Sequence, residues 1–276
     1  MDSLELTKEL KAQRTGEARW SAILESRLAA QRPGIGVRLG PVPPRVVVGP
    51  LAGRDDSDSA ERWSNLVRRN LNVAASAILL VLALPLMLLI ALAIWLTSPG
   101  PVIFTQPRVG LDKRRDDPNV PVDPRRRVDH GGRIFRIYKF RTMTYEPERS
   151  EKQVWATPTD PRITPVGRFL RKYRLDELPQ LVNVLTGDMN LVGPRPEQPE
   201  IFKTLRDEIS GYEGRQRVLP GITGLAQVNH RYDHSVEDVR TKVGYDLSYV
   251  ESRSPVEDLR IMAQTVPVVL FGKGAI

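Results

Sequence analysis

An acidic dipeptide, Asp176-Glu177, lies inside the run "RKYRLDELPQLVNVLTGDMNLVGPRPE" at 171–197, shortly after Arg168, Arg171, Lys172 and Arg174. Arg195 follows in "GPRPE", and Lys139 and Arg141 stand upstream in "IYKFRTM". One carboxylate here has a plain structural use. Asp176 suits the N-cap of a helix and Glu177 its first turn, and Pro179 falls where a missing N–H costs little. Leu178, Leu181, Val182 and Leu185 then form the expected buried stripe. Capping accounts for one acid but not for the cations on both sides. A carboxylate held ionised by a helix N-terminus and neighbouring cations is a competent nucleophile or metal ligand, and the cations suit phosphate oxygens. Taken alone, Lys139 and Arg141 read equally well as solvated charges on a surface strand.

Other constellations carry less. His230 and His234 stand four apart around Asp233, a spacing that superficially suggests a metal site. The preceding "PGITG" and Asn229 favour a turn there over a regular helix. The Asp-Ser-Asp triplet at 56–58 resembles a metal-binding triplet but sits in a polar linker, and the chain has no dinucleotide fingerprint after a strand and no Walker motif. The 276 residues include no cysteine, which excludes disulfides, a thiolate nucleophile and cysteine-bound zinc. A net charge of +8 points to an anionic partner: nucleic acid, lipid headgroups or a phosphorylated substrate.

The elements that must position these residues begin with a membrane segment. Residues 73–96 carry no charge, and as a straight helix they reach about 36 Å, against a hydrocarbon core of roughly 30 Å. The segment lies too far from the start of the chain for a cleaved signal peptide, and it is apolar on every face, unlike a buried soluble helix. Pro85 stands at its middle. Arg62, Arg68 and Arg69 precede it, and Arg108, Lys113, Arg114 and Arg115 follow, so the positive-inside bias draws both flanks to the cytoplasm. A helix broken at Pro85 that leaves by the leaflet it entered satisfies both flanks. A spanning helix with a proline kink is also allowed, and the residues alone leave the two even.

Residues 1–64 read as a separate tail: helical spacing of apolar residues from Leu4 to Leu28, a proline- and glycine-broken stretch, then a polar linker. After the membrane segment, "PVIFTQPRVG" and "GRIFRIYKFRTM" read as two strands, joined by a charged loop at 112–132. Beyond Pro165 helical runs alternate with turns, and "SPVEDLRIMAQTVPVVLFG" forms a last amphipathic helix.

Three stretches, "IYKFRTM" (137–143), 171–197 and "PGITGLAQVN" (220–229), together resemble the bacterial sugar transferases, the monotopic phosphoglycosyl transferases. The resemblance runs from about Asn65 to the C-terminus. It implies transfer of a sugar 1-phosphate from a UDP-sugar to a polyprenol phosphate, usually undecaprenyl phosphate, at the cytoplasmic face of the bacterial inner membrane, with Mg²⁺. The family's Asp–Glu pair maps onto Asp176 and Glu177, as catalytic and metal-binding residues, and its phosphate-binding cations onto Arg171, Arg195, Lys139 and Arg141. The family's re-entrant helix breaks at a Ser-Pro pair. Here the pair is Leu84-Pro85, so the proline of the membrane break remains and one hydroxyl is gone. The 112–132 loop is longer than the family pattern.

The expected architecture is therefore α+β and helix-rich. A partly disordered cytoplasmic tail covers 1–64, and a re-entrant helix-break-helix embedded in inner-membrane lipid covers 65–100. A cytoplasmic catalytic domain with a small β-hairpin or sheet covers 101–276. The expected partners are a UDP-sugar and a polyprenol phosphate, without nucleic acid, and with a homodimer left open. Two other classes compete: a membrane-anchored scaffold whose acids serve only as caps, and a basic nucleic-acid binder. No recognition motif supports the second. The multi-aspartate signature of a CDP-alcohol phosphotransferase is absent.

Overall fold

A single helix, α1 (Ser57–Thr97), runs 41 residues with Pro85 inside it. It belongs to a computed structural model that describes residues 57–112, 131–145, 160–229 and 236–270. Of the expected tail, residues 1–56 lie outside the described residues, as do most of the 112–132 loop and the pair His230 and His234. The chain forms two compact units. One comprises residues 45–231 and 242–276; the other comprises 1–44 and 232–241, of which only 236–241 are described, as the opening turns of a helix.

The expected helix-break-helix is not what Pro85 produces. The helix continues through it, and 35 residues, Trp63–Thr97, are long and apolar enough to cross a membrane. A proline removes one intrahelical hydrogen bond, and the leucine-rich turns on either side keep their own ladders.

How α1 is buried changes along its length. Arg68, Asn72 and Ser76 are buried near its start, and Ile90 and Ile94 near its end, followed by buried Ser98. Between them Ile78, Leu79, Val81, Leu82, Leu84 and Leu86 are exposed. Both ends therefore rest on protein, while the apolar middle is left uncovered.

The expected strands form β1 (Ile103–Val109) and β2 (Ile134–Phe140), an antiparallel pair with Phe104 opposite Lys139. Helix α2 (Pro165–Lys172) follows, its start capped by the Thr164 hydroxyl, which accepts from Gly167 N. A 3₁₀ turn (Leu175–Glu177) then leads to α3 (Gln180–Thr186). Asp176 is thus not the N-cap: α3 begins only after Pro179, and the acidic pair sits in the tighter turn before it. The buried stripe also differs from the expected one. Gln180, Leu181, Asn183 and Val184 face inward, and Val182 faces outward. The later start rotates the face that meets the sheet.

Strands β3 (Asn190–Val192) and β4 (Gly221–Thr223) pair in parallel, separated by α4 (Pro199–Glu208) and a 3₁₀ helix (Tyr212–Arg217). Three helices complete the described chain: α5 (Leu225–Asn229), α6 (Val236–Ser252) and α7 (Pro255–Leu270). The main core joins Phe135 and Ile137 of β2, Leu181 and Val184 of α3, Leu191 and Val192 of β3, and Ile261 of α7, with Ala75 and Leu80 of α1 against it. A second cluster joins Ile90 and Ile94 of α1 to Phe140 and Leu170, with Leu175 and Leu178 packed on it. The two leucines that bracket the acidic pair thus pack on the cluster that holds the end of α1.

Candidate active site

The turn carrying Asp176 and Glu177 opens with Arg174 in the left-handed region (φ 54°), the one non-glycine residue with positive φ among those described. That conformation costs an arginine roughly 1 kcal/mol or more, and here it reverses the chain between α2 and the acidic pair. Asn183 fixes the turn from below. Its side chain accepts from Tyr138 N at 3.0 Å and donates to Arg136 O at 2.7 Å, so one amide occupies the edge of β2 as a neighbouring strand would. That bond ties α3, and the turn before it, to the strand that carries Lys139.

Glu177 is buried and fully engaged. Its Oε1 accepts from Lys139 Nζ at 2.9 Å and from Arg195 Nη2 at 2.7 Å, and Arg174 Nη1 lies 3.8 Å from Oε2. Burial alone pushes its pKa up, but Arg195 and Lys139 outweigh that and hold it well below the ordinary glutamate range. Lys139 is lowered by its own burial, against the opposing pull of Glu177. Arg195 is pushed up, chiefly by Glu177.

Asp176 is different. It is equally buried, yet among the described residues no hydrogen bond or ion pair holds its carboxylate. Burial and the adjacent Glu177 raise its pKa, while Lys139, Arg171 and Arg195 pull it back. Two neighbouring acids therefore have opposite environments: one is locked to cations, the other is surrounded by them without being bound.

Of the expected cations, Lys139 and Arg195 meet at Glu177, and Arg171 acts electrostatically on Asp176 while its Nε donates to Thr142 Oγ1 at 2.9 Å. Arg141 goes elsewhere. It donates to Ser98 O at 2.6 Å and to Pro99 O, closing the C-terminal end of α1. β2 ends at Phe140, so the alternation that places Lys139 does not carry on to Arg141. A cleft of about 250 Å³ reaches Glu177 and Arg174 from the side of α1, lined by Leu79 and Ala83 of that helix, Leu178, Leu181 and Val268. Asp176 is not part of its lining.

Sequence reasoning missed the roles of Asn183, of half-buried Arg108 and of buried Arg215. A polar residue at the centre of an apolar helix is a usable signal for Asn183. Nothing in the basic composition separates the two arginines from the others. As for a metal, no group of three or more His, Asp or Glu side chains gathers among the described residues. Mg²⁺ commonly takes one or two carboxylates and completes its shell with water and substrate phosphates, so the donor chemistry of Asp176 and Glu177 fits it.

Comparison with known proteins places this arrangement. Residues 63–272 match the family described as bacterial sugar transferase. A UDP-N-acetylgalactosamine-undecaprenyl-phosphate N-acetylgalactosaminephosphotransferase of Aeromonas hydrophila is 42% identical over 209 residues, 76% of this chain and 45% of that protein. The UDP-glucose:undecaprenyl-phosphate glucose-1-phosphate transferase of Escherichia coli K12 is 38% identical over 205 residues, 74% of this chain and 40% of that protein. One of the same name from Caulobacter vibrioides is 41% identical over 208 residues, 75% of this chain and 70% of that protein. The chain thus spans less than half the length of the first two. The family match is continuous from the membrane helix through the β-hairpin, the acidic turn and the Arg195 loop, and on that ground the chain belongs to the bacterial sugar transferase family.

Proposed function

We propose that this protein transfers a sugar 1-phosphate from a UDP-sugar to a polyprenol phosphate, releasing UMP, with Asp176 as the nucleophile. The observation that carries the reading is the division of labour between the two acids. Glu177 neutralises Lys139 and Arg195 and holds them in place, while the Asp176 carboxylate keeps its oxygens for substrate. An Asp176 oxygen attacks the β-phosphorus of the UDP-sugar, the bond from that phosphorus to the bridging oxygen breaks, and UMP leaves. An oxygen of polyprenol phosphate then attacks the aspartyl phosphosugar, forming the polyprenyl diphosphate sugar and restoring the carboxylate. Lys139, Arg171 and Arg195 face the negative charge that gathers on the phosphoryl oxygens. Asp176, with the Glu177 oxygen that Lys139 and Arg195 do not bind, would hold Mg²⁺, which when bound would supply charge neutralisation. The relatives' names span glucose and N-acetylgalactosamine, and the donor is left as a UDP-sugar.

The membrane arrangement supports the same reading. Arg68 and Asn72 near the start of α1 bind Asp258 and Leu191, and Ile90 and Ile94 near its end pack on Phe140 and Leu170. One soluble domain holds both ends, so a spanning α1 requires that domain on both sides of the bilayer. An α1 that stays within one leaflet requires it on one side only, here the cytoplasmic face of the inner membrane. The apolar cleft between α1 and Glu177 suits the first isoprene units of a lipid acceptor.

Enzyme quenched with UDP-sugar and without acceptor should gain the mass of one sugar phosphate on the peptide containing Asp176. The Asp176→Asn variant should form no adduct and release no UMP, because an amide is a poor nucleophile. Sequential kinetics with no adduct, under conditions that support turnover, refute the covalent route.

A further inference from the structure

The loop that carries Arg195 is held by its carbonyls. Pro194 and Pro196 have no N–H, so this stretch of main chain presents acceptors that need donors from elsewhere. All four are met. Pro194 O accepts from Gly221 N at 3.0 Å, Arg195 O from Arg215 Nη2 at 3.0 Å, Pro196 O from Arg108 Nη1 at 3.1 Å and Glu197 O from Val109 N at 2.9 Å. Two donors are backbone amides of the neighbouring strands. The other two are guanidiniums, and the one on Arg195 itself is Arg215.

Arg215 is committed on every side. Nε donates to Asp246 Oδ2 at 2.7 Å and Nη1 to Tyr212 Oη at 2.6 Å, and its guanidinium lies 4.9 Å from the Tyr212 ring centroid. The Arg215 and Asp246 side chains are 6% and 4% exposed. A buried ion pair is a poor source of stability, since well-packed apolar residues of similar volume often do as well. What an apolar pair cannot do is donate to the carbonyl of Arg195 while a carboxylate holds the donor's plane fixed.

We infer that Arg215, oriented by Asp246, is a positioning residue for Arg195. It fixes the peptide that follows Arg195, and so the direction from which the Arg195 side chain reaches Glu177 and the phosphoryl group in transit. The inference rests on the transferase reading for its effect on turnover, but not for its effect on the loop.

Two measurements on the full-length enzyme in detergent or nanodiscs test it. Hydrogen exchange should be faster in the peptide spanning 190–198 for Arg215→Lys, and unchanged in α3 and β2. In turnover, Arg215→Lys should lower kcat/KM by about tenfold or more, as should Arg195→Lys, and the double variant should be no slower than Arg195→Lys alone. Exchange that rises throughout the domain, or an Arg215→Lys loss that persists in full in the Arg195→Lys background, overturns the inference in favour of a purely structural role. Wild-type exchange and turnover in Arg215→Lys overturn it outright. Should Arg215→Lys fail to fold, Asp246→Asn keeps an oxygen opposite Nε and should give the same pattern at smaller amplitude; unchanged exchange there has the same force against the inference. If wild-type enzyme releases no UMP from any UDP-sugar, the transferase reading falls, and the exchange comparison alone decides whether Arg215 holds the loop.

Discussion

Glu177 binds two cations through a single oxygen, and this has a measurable consequence for Arg195. Its Nη2 contacts Glu177 while roughly a third of the side chain stays open, so one face is held and the other is available to a phosphate. Lysine keeps the charge but cannot hold a carboxylate and a phosphoryl oxygen with one planar fork. Arg195→Lys should therefore lower kcat/KM roughly tenfold or more, about 1.4 kcal/mol of transition-state stabilisation. Arg171→Lys should do likewise by releasing Thr142, and kinetics near wild type for both variants would reduce the two residues to structural pairing. The acidic pair was legible in the sequence because adjacent carboxylates among cations are conspicuous. The difference between them was not, since it depends on which acid a strand 38 residues upstream happens to reach. Arg141 shows the same limit: its motif reads as phosphate-binding, and its place just past the end of a strand turns it to the two carbonyls that follow α1 instead.

The short elements around the site carry their own stability terms. Ahead of α2, buried Asp160 accepts from Arg162 N and Nε through Oδ1 and from Arg162 Nη2 at 2.6 Å through Oδ2. The hydrogen bonds from the Arg162 side chain outweigh the upward push of burial and, with the backbone bond, hold its pKa below the ordinary aspartate value. A lowered carboxylate stabilises the fold above its unfolded pKa of about 3.9, and that contribution is lost as pH falls through the lower folded value. Asp160→Asn should cost about 1 kcal/mol at pH 7, a fall in melting temperature of roughly 2–4 °C, and the deficit should vanish in acid. An equal deficit at pH 7 and pH 3 would show that packing, not the charge, was lost. Both hairpin strands could be read from alternation and β-branched residues. The start of α3 could not, because an Asp-x-x-Pro sequence serves a capped helix and a 3₁₀ turn equally well. Asn183 decides between them by binding β2, a contact that lies 47 and 45 residues back in the chain.

For the molecule as a whole, the membrane question reduces to sidedness. The chain has no cysteine, so single cysteines at Ala60, ahead of the apolar span that begins at Trp63, and at exposed Tyr145, beyond its end at Thr97, are unique probes of the two flanks. Both should resist a membrane-impermeant thiol reagent in intact cells and react after permeabilisation. Labelling of either one in intact cells would put the flanks on different faces and exclude the one-leaflet arrangement. Composition and charge made the membrane segment plain from the sequence. That both its ends belong to one domain was not visible there, because the partners of Arg68 and Asn72 lie 190 and 119 residues downstream. The same distance sets an order of events during synthesis. Arg68 donates to Asp258 and Tyr249 from a site where water is excluded, yet at ribosomal rates of about 5–20 residues per second Asp258 emerges roughly 10–40 seconds later. Until Tyr249 and Asp258 emerge the Arg68 side chain lacks both of these partners, and the start of α1 must remain in contact with water or lipid headgroups. The protein can seat the start of α1 only once α7 has emerged, so the helix made first among the described elements waits on the one made last.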